Sequence, residues 1–116
     1  MPSMTDYKFG DVVLVGFPFT NLQTTKKRPA VIISNTVYQQ QRPDIILMAI
    51  TSQVRQPLTV GEALIQDWQT AGLAKPSVFK PLIATIEKER IIKVMGQLTD
   101  KDQQGLQEII QKILCK

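Results

Sequence analysis

The sequence predicts a mainly β fold, a compact antiparallel barrel closed off by a C-terminal α-helix. Short β-branched and apolar runs recur between Gly and Pro breakers. They do not alternate with helical patterns, which argues against a parallel sheet. A single amphipathic stripe follows at the C-terminal end.

"DVVLVGF" at residues 11–17 is entered through Gly10 and left through Pro18, the first strand. "PAVIISN" at 29–35 and "DIILMAITS" at 44–52 give two more, and the apolar character of all three marks them as substantially buried. Between them, "TVYQQQRPD" reads as a polar connection ending in the turn-prone pair Pro43 and Asp44. A strand is expected near Glu62 to Ile65, then a turn at Gly72 and strand material at 77–83. Pro81 places that segment at an edge or a bulge. One helical turn is expected around Glu87 to Arg90, and a last strand from Ile91 to Leu98.

The terminal helix, about 99–115, is the clearest element. Leu106, Ile109, Ile110, Ile113 and Leu114 fall on one stripe, and Thr99 followed by Asp102 resembles a capping signal. Asp100 and Asp102 read as a charged first turn favoured by the helix dipole. At 116 residues the chain has room for one domain, 1–116, with its own core.

Composition narrows the chemistry. Hydrophobic residues make up 43% and charged residues 21%, ordinary for a folded protein. The net charge of +4 favours a polyanionic partner. There is no histidine, which removes the commonest general base, the commonest metal ligand and any Ser-His-Asp arrangement. One cysteine, Cys115, excludes a disulfide framework and a cysteine metal cluster. No phosphate-cradling glycine motif and no metal-ligand spacing occurs, so neither cofactor nor metal is expected. The start lacks the organisation of a signal peptide and no apolar run approaches the ~18 residues of a membrane span. The expected setting is a reducing cytoplasm, with no membrane partner.

Among the polar residues, Arg28 stands at a strand entrance, restricted to extended or turn geometry by Pro29. Thr51, Ser52 and Gln53 end the third strand. If these two strands pair antiparallel, Arg28 and Thr51 share one end of the sheet. A guanidinium and a hydroxyl at one rim suit a phosphodiester. A surface arginine flanking a strand remains the competing reading. Lys26 and Lys27 fit a phosphate-contacting surface or a solvated loop equally well. Phe17 and Phe19 offer a base-stacking ring or core packing, and Trp68 reads as a core anchor.

"GDVVLVGF", "KKRPAVIIS", "ITSQ", "DWQTAGLAKPS", "TIEKERI" and "GQLTD", in this order and spacing over nearly the whole chain, resemble the MazF/PemK family of toxin endoribonucleases of bacterial toxin-antitoxin systems. The resemblance implies an SH3-like barrel that forms a homodimer. It implies metal-independent, sequence-selective cleavage of single-stranded RNA and neutralisation by a cognate antitoxin, the pair binding DNA as a complex. Arg28 matches the family's catalytic arginine and Thr51 its catalytic hydroxyl residue. Lys26, Lys27, Asn21, Ser52, Gln53 and Lys80 are the implied RNA-binding residues. Where some relatives carry an acidic residue this chain has Pro81, and Ala84 replaces a frequent arginine, so no general base is assigned. A non-catalytic barrel of the same fold, like the CcdB-like toxins that poison gyrase, is the alternative.

Overall fold

The computed structural model describes residues 7–16 and 27–116. In chain order the elements are β1 (Asp11–Gly16), β2 (Lys27–Ile32), α1 (Thr36–Gln41), β3 (Asp44–Thr51), β4 (Ala63–Leu64), β5 (Val78–Glu87), a 3₁₀ turn (Lys88–Arg90), β6 (Ile91–Gln97) and α2 (Asp100–Leu114). The strands form one six-stranded sheet in the order β4-β5-β3-β2-β1-β6, with every neighbouring pair antiparallel.

The expected barrel is corrected in one respect: among the described residues the sheet is not closed, and β4 and β6 stand at its two ends. Strong curling replaces closure. The β1–β6 ladder slips register twice, and the β3–β5 ladder slips between Met48 and Ala49, leaving Pro81 and Leu82 as a bulge. Bulges bend a strand and raise its twist. The curl brings Leu82 of β5 and Ile91 of β6, from opposite halves of the sheet, against one cluster built on Val13, Ile32 and Leu47. Pro81 thus sits at a bulge, and it interrupts a strand that runs on to Glu87 rather than ending near 83.

The opposite face carries Val12, Val31, Met48, Ile50 and Phe79, covered by Leu106 and Ile109 of α2 and by Ile65, Ala71 and Leu73 of the β4–β5 connection. Both faces being covered explains why β2 and β3 read as continuous apolar runs. Leu106 is wholly buried and Ile109 nearly so, each contributing about 2 kcal/mol of transfer free energy. Trp68 packs half-buried against the same core, as an anchor.

Three local outcomes differ from expectation. Residues 36–41, expected as a polar connection, form α1. Asn35 caps it by accepting the Tyr38 N–H at 3.0 Å, and buried Gln39 hydrogen-bonds the Ser34 hydroxyl. Asp44 ties the helix to β3 by accepting from Arg42 at 3.1 Å and from the Tyr38 hydroxyl at 2.6 Å, bonds that hold its carboxyl below the usual range. The second strand begins earlier than 29–35, because Lys27 and Arg28 pair with Gly16 and Val15, and ends sooner, because the N–H groups of Ile33 and Ser34 both turn to the Ile46 carbonyl.

The third concerns Asp102, which is more than a first-turn charge. It is 3% exposed and accepts the backbone N–H groups of Gln66 at 2.9 Å and Asp67 at 2.8 Å, fastening the β4–β5 connection to α2. Thr99 caps the helix, accepting from the Asp102 N–H at 3.4 Å and donating to Asp67 at 2.9 Å. The connection also touches β6. Gly72 has φ +85, and a Cβ there would lie 2.1 Å from the Met95 carbonyl oxygen. Only glycine meets both demands.

Candidate nucleic-acid interface

The β2–β3 ladder pairs Ala30 with Ala49, Val31 with Met48 and Ile32 with Leu47. Continued outward, the same register sets Arg28 across from Thr51. Arg28 is paired with Val15 of β1, which fixes its backbone while the residue stays exposed. Thr51 is half-buried, and its Oγ1 accepts the Gln53 N–H at 3.1 Å, leaving its hydroxyl proton free to donate elsewhere. Strand alternation puts Arg28 and Thr51 on one face of the ladder and Lys27, Pro29 and Ile50 on the other.

Two cavities meet at this strand end. The first, about 350 Å³, is lined by Lys27, Arg28, Pro29, Ile50, Thr51, Ser52 and Gln53 on the strand side and by Leu73, Ala74, Lys75, Ser77 and Met95 opposite. The second, about 210 Å³, shares Thr51 and Gln53 and adds Arg55, Leu58, Glu62, Val78 and Lys80. Lys80 reaches this wall because β5 pairs Val78 with Thr51 and Lys80 with Ala49. Thr51 and Gln53 therefore form the partition between two adjoining halves of the groove.

Of the residues singled out in the sequence, Lys27, Arg28, Thr51, Ser52 and Gln53 come together around the first cavity, and Lys80 lies beyond the partition. Asn21, Lys26, Phe17 and Phe19 lie outside the described residues. Sequence reasoning missed Lys75, Arg55 and Glu62. Lys75 arrives on the connection that Asp102 and Gly72 hold in place, which no local pattern announces.

The groove's cations are Lys27, Arg28 and Lys75 in the first cavity and Arg55 and Lys80 in the second. Glu62 is its one carboxylate among the described residues. The Thr59 N–H donates to Glu62 Oε1 at 2.9 Å; that bond and the Lys80 charge hold its carboxyl below the ordinary value. No group of three Cys, Asp or Glu that could hold a metal occurs among the described residues. No helix there is long and apolar enough to cross a membrane. The arrangement offers several donors converging on an anion, with a fixed acceptor to one side.

Solved structures share the fold at low identity. An endoribonuclease in complex with its cognate antitoxin, from a mycobacterial species, has 15% identity and a TM-score of 0.74, covering 92% of this chain and 93% of its own. The Mycobacterium tuberculosis toxin MazF-mt6 has 21% identity and a TM-score of 0.70, over 88% and 93%. MazF from Deinococcus radiodurans has 14% identity and a TM-score of 0.73, over 97% and 100%. No curated protein matches the sequence. The family model for PemK-like, MazF-like toxins of type II toxin-antitoxin systems matches residues 8–114, nearly the whole chain, and the chain belongs to that family.

Proposed function

We propose that this toxin is a metal-independent, sequence-selective endoribonuclease that cuts single-stranded RNA through the substrate's own 2′-hydroxyl. The observation that supports the reading is that Arg28 and Thr51 line one cation-bearing cavity, Thr51 also lining the second. The 2′-oxygen forms a bond to phosphorus, the P–O5′ bond breaks, and the products are a 2′,3′-cyclic phosphate and a 5′-hydroxyl. The 2′-proton leaves with attack and the departing 5′-oxygen gains one.

This chemistry needs charge stabilisation on the phosphoryl oxygens and transfer of protons, and it needs no redox step. Arg28 supplies a planar, permanently charged donor fork to the phosphorane oxygens. Thr51 donates its hydroxyl proton to one further oxygen, its Oγ1 being oriented by the Gln53 N–H. Lys27, Ser52 and Gln53 line the same cavity and hold the adjoining backbone, with Lys80 across the partition. The proposed partners are single-stranded RNA, a cognate antitoxin and a second copy of the chain in a homodimer.

The test is cleavage of a long single-stranded RNA in EDTA by the wild type and by Arg28→Ala, with the fragment ends mapped. Fragments with 5′-hydroxyl ends are expected from the wild type, and Arg28→Ala is expected to lose about a hundredfold or more of the rate. Folded wild-type protein that cuts none of several RNAs would overturn the reading and favour a non-catalytic binding role.

A further inference from the structure

A groove built for a polyanion gains from every cation and loses from a carboxylate, which sets Glu62 apart from the rest of the described lining. Its position is built rather than incidental. The residue is partly exposed, the Thr59 N–H fixes Oε1 at 2.9 Å, and the same cavity holds Lys80 and Thr51. A carboxylate stabilised in its ionised form is an acceptor only. The same stabilisation suits it badly to general-base work, which favours a pKa near the working pH.

Single-stranded RNA is read by hydrogen bonds to the edges of unstacked bases. Adenine, cytosine and guanine each carry an exocyclic amino group that donates to a fixed acceptor. Uracil presents two carbonyl oxygens around a single N–H, and a carboxylate repels both. Leu58 and Val78 supply apolar walls for a ring, and a volume of about 210 Å³ is smaller than pockets for drug-sized ligands. Resting on the ribonuclease reading above, we infer that Glu62 selects an amino-bearing base over uracil at one of the two nucleotides flanking the scissile phosphate.

The experiment cuts a random-sequence single-stranded RNA pool with the wild type and with Glu62→Gln in EDTA, and sequences the ends. At one flanking position the wild type is expected to disfavour uracil by about tenfold or more, the size of one well-made base contact. Glu62→Gln donates as well as accepts; it is expected to cut the same pool with that bias reduced to about twofold and preferences elsewhere unchanged. A matched pair of oligonucleotides, with adenine or with purine lacking its amino group at that position, is expected to differ about tenfold in kcat/KM for the wild type and little for Glu62→Gln.

The inference is overturned if the wild type accepts uracil freely at both positions, or if Glu62→Gln keeps the bias. It is also overturned if folded Glu62→Gln cuts nothing, since Glu62 would then serve the reaction itself. A wild type that cuts no RNA strikes the ribonuclease reading alone. The relative binding of the oligonucleotide pair then decides, equal affinities overturning the role of Glu62.

Discussion

Arg28 and Thr51 lie at one end of two neighbouring antiparallel strands and line one cavity, and in the proposed reaction they divide the handling of one phosphate, the first by charge and the second by direction. The backbone of Arg28 is held by its pairing with Val15, and the hydroxyl of Thr51 is turned by the Gln53 N–H. Their placement at one strand end was legible because Pro29 restricts Arg28 and the strand pattern ends at Thr51. Glu62 was not legible, because the cavity it lines is closed by Thr51 of β3 and by Val78 and Lys80 of β5, which its own stretch does not announce. Its titration gives a prediction. The hydrogen bond from Thr59 lowers its pKa from 4.5, so its ionised form is favoured more than in a free glutamate. Discrimination against uracil is therefore expected to be constant from pH 8 to about pH 5 and to fail only as the pH drops through the lowered value. Mapping cleavage ends across that range checks it, and a loss between pH 7 and 6 would contradict an ionised acceptor.

The elements show where sequence patterns end. Strands β2 and β3 and helix α2 were readable because burial on one or both faces leaves an apolar signature. Helix α1 was not, since Thr36–Gln41 has no apolar stripe and is held by Asn35, by the Ser34–Gln39 contact and by Asp44. The length of β5 was hidden by Pro81, a strand breaker tolerated because the ladder bulges there. Asp102 looked like one charge of a first turn, yet it accepts two backbone N–H groups from 35 and 36 residues away. Asp102→Ala leaves both donors without their acceptor at a nearly buried site, and a loss of about 3 kcal/mol is expected. Asp102→Asn retains one acceptor oxygen and is expected to lose about half as much. Urea denaturation of the three proteins measures both.

At the scale of the molecule, a curled open sheet with both faces covered gives the core of a barrel without the closed ring of hydrogen bonds. The sequence pattern reports burial, and burial is the same in both cases, so closure was the part of the fold it could not fix. The five cations of the groove come from four separate stretches of chain, which sequence position alone keeps apart. Lys75 is expected to act through charge: Lys75→Ala should weaken all single-stranded RNAs alike and reduce the slope of log affinity against log salt by about 0.7. Fluorescence anisotropy over a salt series measures it, and a sequence-dependent loss would assign Lys75 to base reading instead. The wall that carries Lys75 depends on the approach of Gly72 to β6. A Cβ on Gly72 would strike the Met95 carbonyl, and one on Gly96 would lie 2.6 Å from the Ala71 backbone. Each glycine makes room for the other's backbone, so a side chain gained at one cannot be offset by a change at the other. Each position bars a side chain on its own account, and a substitution at either would push the β4–β5 connection and β6 apart along that wall of the groove.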